Sequence, residues 1–189
     1  DEGQPPAGLR QVVAPEARDQ QHVGIGGRLA RLAKAFDMKV IGLRRDPARG
    51  AEGADEIHPM SALKAELGRA DIVALTCALT PETRGLMDAA AFAAMKPGAM
   101  LVNVARGRVC DEAALIAALR SGQIGEAALD VTADEPLPAD SPLWAMPNVL
   151  VMPHTGGETR HYEDNVLALM EENLARLGRG EPALFNQVV

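Results

Sequence analysis

Ala99-Met100-Leu101-Val102-Asn103-Val104-Ala105-Arg106-Gly107 is a largely apolar run that ends in a cation and a glycine. The turn Lys96-Pro97-Gly98 precedes it, and after it Asp111 can cap a helix from Glu112 to Arg120 that Gly122 ends. A near-continuous apolar strand is buried on both faces, and a helix directly after it points to a parallel sheet with crossover helices. The same unit recurs outward in both directions. Toward the N-terminus, Asp71 to Leu75 reads as a strand, Asp88 caps a helix from Ala89 to Met95, and Ser61 can cap a short helix through Leu63 and Leu67. Met38 to Leu43 is a further strand, and Val23-Gly24-Ile25 reads as the first, feeding a helix from Arg28 to Phe36. Toward the C-terminus follow strands at Ala127 to Leu129 and Val149 to Val151, then a long helix from about Glu158 to Leu177. The expected architecture is α/β, a doubly wound parallel sheet of Rossmann type with helices on both faces. The spacing of the units is irregular, which excludes a solenoid.

Composition sets the outer bounds. A chain of 189 residues can bury one good core. Aromatic residues make up 3%, so that core must be Ala, Val, Leu, Ile and Met, which suits helices on a sheet. The formal charge of -7 disfavours broad binding to nucleic acid or anionic lipid. Two cysteines, Cys77 and Cys110, stand in unrelated contexts, which fits a reducing compartment rather than a disulfide framework. No run approaches the roughly 18 apolar residues of a membrane span, and no signal segment opens the chain, so a cytoplasmic location is expected. Residues 1–20, rich in Pro, Gln, Glu and Asp, read as a linker or remnant, residues 21–157 as the sheet domain, and residues 158–189 as a helix and tail.

In open parallel sheets ligands bind outside the carboxyl ends of the strands. Cys77, Arg106, Asp130 and His154 each fall just after an expected strand. Arg106, beside Gly107, suits bidentate binding of a carboxylate, although a surface arginine pairing with an acid is the plain alternative. Glu135, in an acidic loop before Pro136, reads alone as a solvated carboxylate. His154, between a strand and Gly156-Gly157, reads alone as a structural histidine. His58 and His161 lack any comparable setting, and no metal site is expected. Taken together, Arg106, Glu135 and His154 form a chemical set. Reduction of a 2-oxo acid needs a cation for the carboxylate, an acid for the carbonyl oxygen, and a partner that keeps that acid protonated. Asp130 is then left to orient a nicotinamide carboxamide.

These stretches resemble the D-isomer-specific 2-hydroxyacid dehydrogenases. The resemblance rests on Leu101 to Gly107, on Leu129-Asp130-Val131 with Glu135-Pro136-Leu137, on Pro153-His154-Thr155-Gly156-Gly157, and on Leu79 to Leu86. It runs from about Val23 to the C-terminus. It implies Arg106 as the carboxylate binder, Glu135 as the histidine's partner and His154 as the proton donor and acceptor. It places Cys77, Val104, Asp130 and Gly156 against a dinucleotide, with Ala78, Ala105 and Gly157 beside them and Gly26 and Gly27 at the phosphate turn. The members most similar in look are glyoxylate, hydroxypyruvate and phosphoglycerate dehydrogenases, and the family tends to form homodimers.

Three departures stand out. The family's G-x-G-x-x-G turn is shortened here: with Gly26 as its third glycine, the first two have no counterpart, so either a loop is skipped or it is deleted. The family's substrate lobe precedes its first strand, where only residues 1–20 stand, so this chain is expected to hold half a cleft and not to turn over substrate by itself. Arg44 and Arg45 replace the acid that grips the ribose 2'-hydroxyl of NAD, which favours NADP over NAD. The alternative is that both arginines flank the adenine while Asp46 or a backbone group holds the ribose. Ala78 stands where proline is frequent. A rival reading on the same fold is a non-catalytic, dinucleotide-sensing corepressor.

Overall fold

Val40 and Ile41 are neighbours in one strand, so they point to opposite faces of its sheet, and both are fully buried. They also belong to separate apolar clusters. Val40 packs with Ala30 and Ala33, while Ile41 joins the larger cluster around Leu75, Phe92, Leu101 and Leu115. A layer therefore covers the sheet on each side. The computed structural model describes residues 10–13, 24–50 and 53–185. The chain divides into two units, Asp1–His154 and Thr155–Val189.

The first unit holds strands β1 (Arg10–Val13), β2 (Lys39–Arg44), β3 (Glu56–Pro59), β4 (Ile72–Leu75), β5 (Ala99–Asn103), β6 (Ile124–Leu129) and β7 (Val149–Val151). Between them lie helices α1 (Ile25–Ala35), α2 (Leu63–Leu67), α3 (Ala89–Ala94) and α4 (Glu112–Ser121). The strands form one parallel sheet in the order β3-β2-β1-β4-β5-β6-β7. The chain winds outward from β1 to one edge, then returns past β1 to β4 and continues to the other. Such a reversal opens a crevice above the strand ends. No described helix is long and apolar enough to cross a membrane.

Local chemistry sets the helix ends as expected. The Asp88 side chain accepts from the Ala91 N–H at 2.7 Å and that of Asp111 from the Ala114 N–H at 3.1 Å, each satisfying an orphan donor. Gly122, at φ 76°, closes α4 in the left-handed conformation open to glycine. Ser61 differs from expectation: it lies in a 3-10 turn, and α2 starts after Ala62 without a side-chain cap.

The larger correction concerns the first strand. Ile25 is the first residue of α1, not the end of a strand. The strand is instead Arg10–Val13, inside the segment expected to be a linker, and it pairs with both β2 and β4. A three-residue strand cannot pass into a helix without a turn, and Gly24, extended at φ -65° and ψ 176°, is the N-cap of α1. Val23 lies outside the described residues. β3 also escaped the sequence reading. It is an edge strand, tied down by charge. Glu56 takes bonds from Arg69 at 2.8 Å and Lys39 at 2.6 Å, and His58 lies 3.2 Å from its other oxygen.

The second unit is α5 (Tyr162–Gly178) and the chain after it. The tail folds back on the helix, where Asn173 donates to the Phe185 carbonyl at 3.1 Å and accepts its N–H at 2.7 Å.

Candidate active site

Strands β4, β5, β6 and β7 are lateral neighbours. Cys77, Arg106, Asp130 and His154 therefore emerge side by side at one end of the sheet. Parallel pairing alone brings them together, because every strand presents the same end to the same side.

The Glu135 carboxylate is the centre of the group. Its Oε2 lies 2.8 Å from His154 Nδ1, and its Oε1 accepts the Thr132 N–H at 3.1 Å. Partial burial acts to raise the Glu135 pKa, but the bonds from His154 and Thr132 and the charges of His154 and Arg106 hold it below the ordinary 4.5. Glu135 is thus an anion near neutrality, and an anionic carboxylate only accepts. Nδ1 must then carry the hydrogen between them, which leaves Nε2 as the ring atom for proton exchange. The two side chains are 40% and 43% exposed, so that exchange has access to a ligand. His154 has φ 58°, a conformation few non-glycine residues adopt.

Arg106 follows β5 and is exposed, with one guanidinium nitrogen donating to the Ala105 carbonyl at 2.6 Å. Its turn is shaped by Asn103. That buried side chain accepts the Ala105 N–H at 3.0 Å and donates to the Arg106 carbonyl at 3.2 Å. Gly107 then approaches the loop after β6 so closely that a Cβ there would sit 1.8 Å from the Thr132 carbonyl oxygen. A cleft of about 600 Å³ opens beside the Glu135–His154 pair, lined by Asp130, Thr132, Leu137, Trp144 and Met152 among others.

The remaining expected residues fall as follows. Val104 and Ala105 extend β5 toward the strand ends, and Val104 N–H donates to the Leu75 carbonyl at 3.3 Å. Asp130 is buried just after β6, its N–H on the Asn103 carbonyl at 3.0 Å. Ala78 is exposed, and its carbonyl accepts from Thr83 Oγ1 at 2.7 Å. Gly26 and Gly27 lie in the first turn of α1, which has no acid and no side-chain cap at Gly24. Arg44 closes β2 and donates to the Gly50 carbonyl at 2.8 Å, whereas Arg45 is exposed and lies 3.8 Å from Glu82. Gly156 and Gly157 lie in the turn before α5, within the second unit. Burial pushes the Cys77 thiol up and the Cys110 thiol up to about 12. Both stay protonated near neutrality, which removes thiolate catalysis from consideration.

Sequence reasoning missed Asn103, Thr132, Arg108 and Glu112. Only Asn103 left a signal, as an amide inside an apolar strand. The other three are tied to the loop after β6 largely through backbone N–H and C=O groups, which no side-chain pattern records.

Comparison with known proteins identifies the family and agrees with the fold. Residues 23–156 match the family model for the NAD-binding domain of D-isomer specific 2-hydroxyacid dehydrogenases. A glyoxylate/hydroxypyruvate reductase B of Citrobacter koseri is 51% identical over 108 residues, 57% of this chain and 33% of that protein. A D-isomer specific 2-hydroxyacid dehydrogenase of Xanthobacter autotrophicus, solved with NADPH and MES, is 44% identical with a TM-score of 0.82, covering 96% of this chain and 71% of that one. An NADPH-dependent glyoxylate/hydroxypyruvate reductase of Sinorhizobium meliloti, solved with NADP and sulfate, is 32% identical with a TM-score of 0.81, covering 94% and 55%. The chain spans between 28% and 52% of the length of the curated relatives it matches.

Proposed function

This chain belongs to the D-isomer specific 2-hydroxyacid dehydrogenase family through its NAD-binding domain, and from that premise we propose that it serves an oxidoreductase that reduces small 2-oxo acids. The observation that carries this reading is the 2.8 Å contact between His154 Nδ1 and Glu135 Oε2.

The start of α1 fits a dinucleotide. An uncapped helix N-terminus with Gly26 and Gly27 in its first turn and no acid offers N–H groups to a pyrophosphate. When bound, NAD(P)H supplies the hydride that adds to the carbonyl carbon. Asp130, Val104, Ala105, Cys77 and Ala78 would line its nicotinamide and adenine sides. Arg106 binds the substrate carboxylate through charge-assisted hydrogen bonds. His154 Nε2 donates its proton to the carbonyl oxygen as the hydride arrives, and the resulting alkoxide becomes the hydroxyl of the product. Glu135 stabilises the imidazolium before transfer and fixes the ring. In the oxidative direction the neutral imidazole takes the proton back.

We further propose a preference for NADP, supported by Arg44 and Arg45 where a ribose-binding acid would stand. We also propose a homodimer, on the family resemblance, and a cytoplasmic location, which the free thiols at Cys77 and Cys110 support. The deciding experiment is a panel of small 2-oxo acids with NADH and NADPH. Reduction of glyoxylate or hydroxypyruvate, more efficient with NADPH, is the expected result. Dinucleotide binding with no turnover of any 2-oxo acid by the complete gene product overturns the enzymatic reading.

A further inference from the structure

We propose that Glu112 is a positioning residue for the Glu135–His154 pair, acting through the peptide unit of Ala133. Its functional consequence rests on the catalytic reading above; the clamp itself rests on geometry. Glu112 Oε2 accepts the Ala133 N–H at 2.9 Å, across 21 residues. Arg108 Nε donates to the Ala133 carbonyl at 3.1 Å, and its Nη2 to Asp134 Oδ1 at 3.2 Å. One residue is thus gripped at its N–H by an anion and at its C=O by a cation. The grip matters because of what hangs from it. Thr132, one residue back, donates its N–H to Glu135 Oε1 and its hydroxyl to the Asp134 carbonyl at 2.8 Å. Glu135 Oε2 is left to face His154. Gly107 blocks movement toward β5, since even a Cβ there would collide with Thr132. Glu112 touches none of the reacting groups, so its effect passes through Glu135.

The plain alternative is that Glu112 merely favours the positive end of α4, in whose first turn it sits. The sign of one titration separates the two. Glu135 is faced by His154 from the end of β7, by Arg106 from the end of β5 and by the Thr132 N–H within its own loop. Removing the charge of Glu112 lowers the Glu135 titration by simple Coulomb action. Loosening the loop raises it, because the bonds from Thr132 and His154 weaken.

The test follows the Glu135 carboxyl by carbon-detected NMR, with amide exchange at Thr132 and Ala133 and Tm as companions. Glu112→Ala should raise the Glu135 titration and speed Ala133 exchange about tenfold or more. Glu112→Gln, which loses the charge but keeps an acceptor, should stay near wild type in exchange and not rise in titration. Glu112→Asp keeps the charge but is one methylene too short, so it should resemble Glu112→Ala and serves if that variant fails to fold. Asp111→Ala removes the α4 cap without touching Ala133, and should lower Tm with Glu135 unmoved. An unmoved or lowered Glu135 titration in both Glu112→Ala and Glu112→Asp overturns the proposal, as does an equal rise in Asp111→Ala. No substrate or dinucleotide enters these readouts. A wild type that binds no NAD(P)H therefore sinks the enzymatic reading and leaves the clamp intact, and an unmoved Glu135 does the reverse.

Discussion

Glu135 and His154 follow different strands, β6 and β7, yet their side chains meet at 2.8 Å. The meeting fixes which imidazole nitrogen can exchange a proton. On this arrangement His154→Ala should lower kcat by about 10²–10⁴-fold while NAD(P)H binding persists. Stopped-flow turnover with fluorescence titration of the dinucleotide separates the two quantities, and unchanged kcat would end the assignment.

The carboxylate-binding role proposed for Arg106 should leave a different signature. Arg106→Lys keeps a charge but loses the planar fork, so KM for the 2-oxo acid should rise by about tenfold or more. Steady-state kinetics across acids of differing length read this directly. Equal KM in variant and wild type is the contrary result.

The Glu135 carboxyl also carries a pH dependence. Its folded pKa lies below the ordinary 4.5, so its contribution to stability is present above that value. That contribution disappears as the pH falls through the depressed folded value. Glu135→Gln should therefore narrow its deficit in Tm relative to wild type as the pH drops below about 4.5. The effect is small, because the side chain is 40% exposed. Parallel melting curves from neutrality down into that range provide the check.

Gly107 should tolerate no side chain. A Cβ would lie 1.8 Å from the Thr132 oxygen and 2.5 Å from the Ala133 nitrogen, both backbone atoms. Gly107→Ala should cost about 1–3 kcal/mol or more in stability and pull the Glu135 loop away from His154. Denaturant unfolding measures the first effect and the Glu135 titration the second. Gly98→Ala, where a Cβ meets nothing but φ is 77°, gives a strained reference without that collision.

The legible part of this protein was its rhythm. Buried strands such as Val40 to Leu43 announce themselves by lacking alternation. The residue just past each strand then predicts what stands at the sheet's end, which is how Cys77, Arg106, Asp130 and His154 were found together. β1 was misplaced because Val23-Gly24-Ile25 is apolar enough for either a strand or a helix start, whereas Arg10–Val13 is surrounded by Pro, Glu and Gln. β3 was hidden by its charges, which an edge strand can keep because they pair with Arg69 and Lys39. The Glu112–Ala133 clamp joins a side chain to a peptide N–H 21 residues away, and no spacing rule reaches that far.

The lateral order of the strands has a last consequence. Arg106 follows β5, Glu135 follows β6 and His154 follows β7, each strand about 4.8 Å from the next. On the roles proposed for Arg106 and His154, a substrate held by its carboxylate at one end and its carbonyl oxygen at the other would lie across the strands, parallel to the rim of the sheet. Two of its three substituents would then be directed by residues that follow neighbouring strands. The handedness of the product is then set by which side of that line the hydride comes from.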